Sequence, residues 1–322
     1  MFDITNPIYT DANKAREHLE GIHWPNGPIC PHCGNYDLTR IKKMEGKSTR
    51  PGVYKCNECR KPFSITVGTV FERSHIPLNK WVLASHLMAA SKKGMSAHQL
   101  HRMLGVTYKT AWFMAHRIRE AMKEDVTSSG PMGGNGKTVE ADETYIGKKD
   151  GWKPNPNAVK AGKGGAAAKR TVVGLVERGG KVRTFHVERA TKDNVREILV
   201  RNVSRDSNLY TDESRLYTTV GDEYASHKTT KHSAKEYARR EGDVVIHSNT
   251  IENVFSVFKR GMIGVYQHCG EAHLHRYLAE FDFRYNRRAA LKVTDTERHD
   301  DLLSMIGGKR LTYRRIGEAD CA

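Results

Sequence analysis

The chain has 322 residues, and its 53 lysines and arginines exceed its 37 aspartates and glutamates, for a formal net charge of +16. This length predicts two or three domains, and the positive charge indicates a polyanionic partner, nucleic acid before an anionic membrane surface. No apolar run approaches the roughly 20 residues that span a bilayer, and the N-terminus lacks the pattern of a signal peptide. We therefore expect a cytoplasmic protein with no membrane partner.

Two CxxC pairs, separated by 22 residues, follow a short helical lead-in. Their cysteines are Cys30, Cys33, Cys56 and Cys59. Four cytosolic thiols at this spacing predict a closed, structural Zn²⁺ site in a zinc ribbon. His23 and His32 are possible substitute ligands, and a pair of redox dithiols is the alternative interpretation. We assign residues 1–77 to this N-terminal segment and ribbon.

Residues 78–126 are predicted to be helical and to contain a helix-turn-helix. Ser96 should cap a helix that ends at Leu104, a glycine-containing turn follows, and Thr107 should cap a second helix. Recognition helices contact bases through their N-terminal residues. The candidate DNA contacts on the second helix are Tyr108, Lys109, Thr110 and Arg117. An ordinary helical hairpin is the alternative, and the glycine-rich residues 127–136 should form a linker.

Residues 137–290 show the pattern of a mixed α/β domain. A strand from residue 137 ends in acids, a hairpin surrounds Arg178-Gly179-Gly180, and a helix and a second strand ending in acids follow. Between the first strand and the hairpin, residues 148–170 carry seven basic residues and one acid, which indicates a mobile basic loop that contacts the DNA backbone or is simply solvated. Residues 291–322 are interpreted as a basic C-terminal tail.

The acids at the two strand ends are candidate metal ligands, because carboxylates suit hard divalent cations. Asp142 competes with Glu140 and Glu143 at the first strand, and Asp212 competes with Glu213 at the second. Composition alone does not choose among them. Each acid taken singly could equally be an ordinary surface residue.

A third acid lies on an amphipathic helix that begins near residue 249. Glu252, Ser256 and Lys259 share one stripe beside its apolar face, so a carboxylate and an ammonium point the same way. This arrangement suits a metal ligand with a cation ready for a phosphate. The alternative is a capping box in which Asn249 caps the helix and Glu252 folds back to the cap amide.

Several of these runs together resemble DDE-type insertion-sequence transposases of bacteria, in the zinc-ribbon group with an ISXO2-like catalytic domain. The resemblance rests on residues 139–147, 210–213, 247–252 and 258–261, with further similarity in the cysteine-rich region and the last helix. It covers roughly residues 24–288.

The resemblance implies an RNase H-like catalytic core with the acidic triad Asp142, Asp212 and Glu252. It also implies that Lys259, and Arg260 beside it, lie near DNA phosphate. The triad would hold two Mg²⁺ or Mn²⁺ ions for phosphodiester cleavage and strand transfer. The partners would be double-stranded DNA, at element ends and target, and further copies of the chain in a homo-oligomer on bacterial nucleoid DNA.

Two other functions explain part of the same pattern. A zinc-ribbon and helix-turn-helix transcription regulator would account for the first half of the chain but not for the acids. A nuclease on the same core would cut DNA without joining it. Cys269 and Cys321 are isolated in the sequence and receive no function.

Overall fold

The computed structural model describes residues 3–125, 129–153, 168–234 and 236–312. The α-helices are α1 (Pro7–Thr10), α2 (Ala12–His23), α3 (Leu78–Ala90), α4 (Ala97–Leu104), α5 (Tyr108–Ala121), α6 (Lys192–Asn202), α7 (Thr218–Gly221), α8 (Asn249–Gly261), α9 (Leu274–Asn286) and α10 (Asp295–Ser304). The strands are β1 (Ile41–Lys43), β2 (Tyr54–Cys56), β3 (Pro62–Phe63), β4 (Thr138–Lys148), β5 (Lys169–Glu177), β6 (Val182–Val187), β7 (Asn208–Asp212), β8 (Ser226–Thr230), β9 (Arg239–Glu241) and β10 (Val244–Ile246). The chain divides into two compact units, Glu124–Asn286 and the remainder on either side of it.

The first unit begins with a small antiparallel sheet in the order β1-β2-β3. Its core is small and aromatic: Trp24 packs edge-on against Tyr54 and Phe63, whose rings stack with centroids 5.8 Å apart. Such a core is too small to hold three short strands without a crosslink or a metal. We therefore expect metal binding by the cysteines that flank the strands to contribute much of the folding free energy of this sheet.

Helices α3, α4 and α5 follow in the same unit. The Ser96 hydroxyl accepts from the backbone N–H of Gln99 at the start of α4, and the Thr107 hydroxyl accepts from that of Thr110 at the start of α5. Gly105 ends α4 in the left-handed conformation, with φ of 59°, which glycine adopts without a steric penalty. Two helices thus meet through a three-residue turn, as the sequence indicated. The contact of this hairpin with DNA stays a prediction.

The interpretation of residues 291–322 as a basic tail is wrong in two respects. This segment contains as many acidic as basic residues. Its described part includes α10, which begins with a capping box between Thr294 and Glu297 and buries His299, Leu302 and Leu303 against the first unit. A ten-residue helix with only one buried edge gives a weak periodic signal, so the sequence pattern did not reveal it.

The second unit is built on a five-stranded mixed sheet in the order β6-β5-β4-β7-β8. Strands β6, β5 and β4 form an antiparallel meander, whereas β7 and β8 run parallel to β4. The hairpin turn at residues 178–180 lies where the sequence predicted it. The parallel strands are joined by crossovers that contain helices α6 and α7, as parallel pairing requires.

Two hydrophobic cores cover the two faces of this sheet. Val139, Ala141 and Leu209 face α6 on one side. Val172 and Val176 face α8 and α9 on the other. Because β5 is buried on both faces, it reads as a nearly continuous apolar run rather than as an alternating one.

Helix α9 closes the edge of the sheet at β6. The Asn286 amide bonds both the N–H and the C=O of Val182, and the Asp282 carboxylate accepts from the N–H and hydroxyl of Thr184. Burial raises the pKa of Asp282 to about 7. These bonds use strand groups that would otherwise invite pairing with another chain.

Candidate active site

Asp142 and Asp212 lie at equivalent positions on two neighbouring parallel strands, each just beyond the last paired residues of β4 and β7. The register pairs Glu140 of β4 with Tyr210 of β7, and each acid lies two residues further along its strand. Side chains two residues apart point to the same face of a sheet. Both carboxylates therefore belong to the face on which α8 packs, away from the core beneath α6.

A glycine allows α8 to approach this face beside Asp142. Gly174 is the β5 residue directly opposite Asp142. A Cβ at Gly174 would lie 2.7 Å from Phe255 Cζ and 2.8 Å from Ile251 Cδ1, closer than real carbon contacts allow. Ile251 immediately precedes Glu252, so the close packing brings the third acid toward the strand that carries the first.

The electrostatics of Asp142 reflect this convergence. Burial raises its pKa to about 8, and the negative charges of Glu143, Asp212 and Glu252 add to the increase. Carboxylates that share a site disfavour one another's ionised form. A divalent cation would remove that penalty, and oxygen donors of this kind fit Mg²⁺ or Mn²⁺.

The acids that competed with the triad have other partners. The buried Tyr217 hydroxyl donates to Glu143 over 2.8 Å, and burial raises the pKa of Glu143. Glu213 is exposed and accepts from the backbone N–H and hydroxyl of Ser233, both at 2.9 Å. Glu140 is fully buried and bonds the start of α8. Each of the three thus bonds a distant segment of the unit, whereas Asp142 accepts from the N–H of the adjacent Glu143 and Asp212 from that of Ser214, two residues on. This difference favours Asp142 and Asp212 as the ligands.

The alternative interpretation of Glu252, as part of a capping box with Asn249, is wrong. The N-cap residue is Ser248, its side chain makes no capping hydrogen bond, and Asn249 is already inside the helix. Instead of folding back to a cap amide on Asn249, the Glu252 carboxylate accepts from the Ser248 hydroxyl at 3.2 Å. The cap comes from the buried carboxylate of Glu140, which lies 110 residues earlier in the chain.

Lys259 and Arg260 lie at the far end of α8. Lys259 follows Glu252 by two helical turns and is half-buried, whereas Arg260 is exposed and donates to the carbonyl of Ser256. Both side chains remain candidates for a phosphate contact along the helix that carries the third acid. Their contact with DNA stays a prediction.

The four cysteines form a compact group. The sulfurs of Cys30 and Cys59 lie 3.6 Å apart and those of Cys33 and Cys56 lie 3.7 Å apart. All four ligand atoms lie within 4.8 Å of one another, and among the described residues no group of acids is gathered in the same way.

The chemistry of these thiols suits Zn²⁺. The backbone N–H of Cys59 helps to lower the pKa of the Cys56 thiol to about 6, whereas burial and the neighbouring thiols raise that of Cys33 to about 12. Four sulfurs that compete for protons in this way are the ligands that a zinc ion would hold as thiolates. The two histidines near the ribbon bond backbone carbonyls instead: His23 pairs with that of Leu303 and His32 with that of Pro62. Neither is therefore required to complete the zinc shell.

The proposed recognition helix is only partly open to DNA. Tyr108 and Lys109 are exposed at the start of α5, where the Tyr108 ring stacks on His98 with centroids 4.3 Å apart, and Thr110 is half-buried. Arg117 is 7% exposed and donates to the backbone carbonyls of Glu72 and Leu311. The assignment of Arg117 as a DNA contact is wrong, because its guanidinium is used inside the unit.

The basic loop is described only at its two ends. Residues 154–167 lie outside the described residues, as does Cys321. β4 extends through Lys148 and β5 begins at Lys169, so the two strands that the basic loop connects reach into the segment predicted to be loop. Arg170 is buried and donates to Asp150 and to the carbonyl of Cys269, which is itself buried. Arg170 thus serves the fold rather than a DNA contact.

Comparison with known proteins identifies the family. Residues 133–286 match the ISXO2-like transposase domain, and residues 10–62 match the transposase zinc-ribbon domain. The chain belongs to this transposase family. It is 28% identical over 286 residues to a Halobacterium salinarum protein described as "Uncharacterized protein in transposable element ISH50"; the match covers 86% of this chain and 91% of that relative.

A solved structure, "Mos1 transposase paired-end complex with left transposon end", aligns with 64% of this chain and 76% of that chain. Its sequence identity is 10% and its TM-score is 0.20, a likeness too low to support an argument about this transposase. Within the described residues, no helix is both long and apolar enough to cross a membrane.

Sequence reasoning missed the residues that hold this transposase site together. The sequence pattern places Arg178 only in a turn, yet in the structure it bonds Glu140 and two backbone carbonyls beside α8. The same pattern places Gly174 only in a strand of the hairpin. The sequence offers two signals for these residues. One is an arginine next to Gly-Gly at a hairpin. The other is a glycine inside a strand of valines, since strand glycines often mark a close approach of another element.

Proposed function

We propose that this chain is a DNA transposase that cleaves phosphodiesters at the ends of its element and joins the released 3′-hydroxyl to target DNA. The observation that supports the proposal is that Asp142 and Asp212 point to the same face of the sheet, on which the helix that carries Glu252 packs. Two of these acids lie at matched positions on adjacent parallel strands, and the third lies on the helix packed beside them.

The sheet order supports an RNase H-like core. The arrangement found here is an antiparallel meander of β4, β5 and β6, with β7 and β8 added parallel to β4 on its other side. It sets Asp142, in the middle of β4, and Asp212, at the end of β7, on adjacent strands. Sequence distance is thus no obstacle to a shared site.

Asp142, Asp212 and Glu252 would hold two Mg²⁺ or Mn²⁺ ions. Such ions activate the attacking oxygen and stabilise the leaving oxygen of a phosphodiester. The chain's own part would be to hold the three carboxylates at partly buried positions on the sheet and α8, where burial and the neighbouring acids raise the pKa of Asp142 to about 8. Lys259 and Arg260 would hold the DNA backbone along α8.

The first unit would bind the terminal inverted repeats of the element. The zinc ribbon and the α4–α5 hairpin are the modules for this, with Tyr108, Lys109 and Thr110 at the exposed start of α5. The formal charge of +16 favours attraction to DNA that weakens steeply with salt. Joining two element ends to one target would require more than one copy of the chain on DNA.

A cleavage and joining assay tests this proposal. The purified protein, with Mg²⁺ or Mn²⁺ and DNA that carries the element ends, should nick the ends and transfer them to a plasmid. Asp142→Asn, Asp212→Asn and Glu252→Gln should each lower both steps by at least about 10³-fold while leaving DNA binding intact. The matched control is Glu213→Gln, an exposed acid next to Asp212, which should remain active.

The two other functions give different results in the same assay. A transcription regulator would bind the ends without any metal-dependent nicking. A nuclease would nick them without joining them to the plasmid. Full activity in Asp142→Asn would contradict the assignment of the site.

A further inference from the structure

Glu140 presents a buried charge two residues before Asp142. Its side chain is fully buried in β4, and the Arg178 Nε donates to it over 2.7 Å. A carboxylate is rarely placed inside a protein unless it is paired and hydrogen-bonded.

The oxygens of Glu140 hold the first turn of α8. They accept from the backbone N–H of Thr250 at 2.9 Å, from its hydroxyl at 2.8 Å, and from the backbone N–H of Ile251 at 3.1 Å. The first N–H groups of a helix have no partner inside it, and negative charge is favoured there. Ser248 supplies no side-chain cap. Glu140, a residue of β4, therefore caps α8, and one of the N–H groups that it binds belongs to Ile251, the residue directly before Glu252.

Arg178 ties the same helix start to the sheet. Besides Glu140, it donates to the carbonyls of Val245 and His247, both at 2.8 Å. Its guanidinium also lies over the Tyr210 ring, 4.7 Å from the centroid. Tyr210 precedes Asp212 by two residues on β7. The pair thus touches each element that carries one of the three acids: β4, β7 and α8.

We propose that Glu140 and Arg178 are positioning residues that fix Glu252 relative to Asp142 and Asp212, and so set the affinity of the acidic site for divalent metal. Neither residue need touch the metal or the DNA. This inference rests on the proposed function, since it takes the three acids to be a metal site. It assigns to Glu140 a role distinct from that of the neighbouring Asp142.

The experiment compares Glu140→Gln, Arg178→Gln and the milder Thr250→Val with wild type. Glu140→Gln keeps the size of the side chain but places an amide N–H against helix donors. Thr250→Val removes one hydrogen bond and leaves the Glu140–Arg178 pair intact. The matched control is Glu177→Gln, because Glu177 is the chain neighbour of Arg178. Its carboxylate also accepts from a backbone N–H, that of Gly133, and from the ammonium of Lys137, and both partners lie away from α8.

Two readouts are taken on the full chain. Hydrogen–deuterium exchange of the peptide that contains residues 248–254 reports how firmly the helix start is held. Electron paramagnetic resonance of free Mn²⁺ during a titration reports metal affinity without any need for catalysis. We expect faster exchange in the three variants and a dissociation constant for Mn²⁺ about tenfold higher in Glu140→Gln and Arg178→Gln, the usual scale for residues that orient metal ligands. Thr250→Val should show a smaller change, and Glu177→Gln none.

The outcomes separate this inference from the proposed function. If wild type binds no Mn²⁺ that depends on Asp142, the proposed function fails. If wild type binds Mn²⁺ through Asp142 but the variants bind it equally well, the positioning role is overturned, whether or not exchange has changed. Should Glu140→Gln fail to fold, Thr250→Val decides the question, because unchanged exchange and Mn²⁺ affinity there would contradict the anchor.

Discussion

Replacing Gly174 with alanine should separate α8 from the sheet beside Asp142. The new Cβ would lie within 2.8 Å of both Phe255 and Ile251. Both side chains are buried, at 5% and 0% exposure, so neither can turn into open space. Ordinary carbon contacts require about 3.5–4.0 Å, so the helix must move outward by roughly an ångström or its side chains must leave their preferred rotamers.

Overpacking of this kind costs about 1–3 kcal/mol of unfolding free energy. The outward movement also carries Glu252 away from Asp142, so activity should fall by more than the loss of stability explains. At a temperature where the variant is fully folded, we expect cleavage to drop by about 10²-fold, the scale of an ångström-sized misplacement. The assays are calorimetry and the metal-dependent cleavage of element ends.

The control is Gly264→Ala in the same unit, since a Cβ there would meet nothing within 4 Å. That variant should be stable and active. A compensating change, Phe255→Leu in the Gly174→Ala background, should recover part of the activity by making room for the new methyl group. A Gly174→Ala protein with wild-type stability and cleavage would refute the claim that close packing at this glycine positions Glu252.

Three further predictions follow from the rest of the chain. Wild type should contain one zinc ion per chain by mass spectrometry, and Cys56→Ser should lose it and unfold the ribbon; a folded, zinc-free ribbon would contradict the assignment. Asp282→Asn should change the pH dependence of stability. The pKa of Asp282 in the folded chain, about 7, exceeds the ordinary 3.8, so the folded state favours the protonated carboxyl. As pH rises from 4 to 7, the wild type should therefore lose up to about 4 kcal/mol of unfolding free energy relative to the variant. A constant difference between the two by denaturant titration would contradict it. Arg117→Met should lower thermal stability without changing DNA affinity, whereas Lys109→Ala should weaken DNA binding and reduce its salt dependence by about one unit of slope; the reverse pattern in a salt titration would contradict the arrangement of α5.

Much of the fold could be predicted because local patterns were strong. Caps at Ser96 and Thr107, a glycine turn at 178–180 and an amphipathic α8 each depend on neighbours within a few residues. The zinc group followed from cysteine spacing alone. These features require no knowledge of what packs against them.

The details of the site depend on contacts that local pattern does not encode. Glu140, Asp142 and Glu143 are all acids on one strand, so residue type does not distinguish them. Strand alternation places Glu143 on the opposite face of the sheet, where it contacts Tyr217. Glu140 differs from Asp142 because it binds the start of α8. Arg117 carries the charge expected of a DNA contact yet lies inside its unit. A rule based on residue type fails wherever a distant segment supplies the partner.

The central claim is that Asp142, Asp212 and Glu252 together hold divalent cations. Crystals grown with Mn²⁺, measured at the manganese absorption edge, test it most directly. We expect anomalous peaks at a coordination distance of about 2.1 Å from carboxylate oxygens of all three residues, and their loss in Asp142→Asn. Manganese bound elsewhere, or three acids that do not share an ion when it is present in excess, would rule out this metal site.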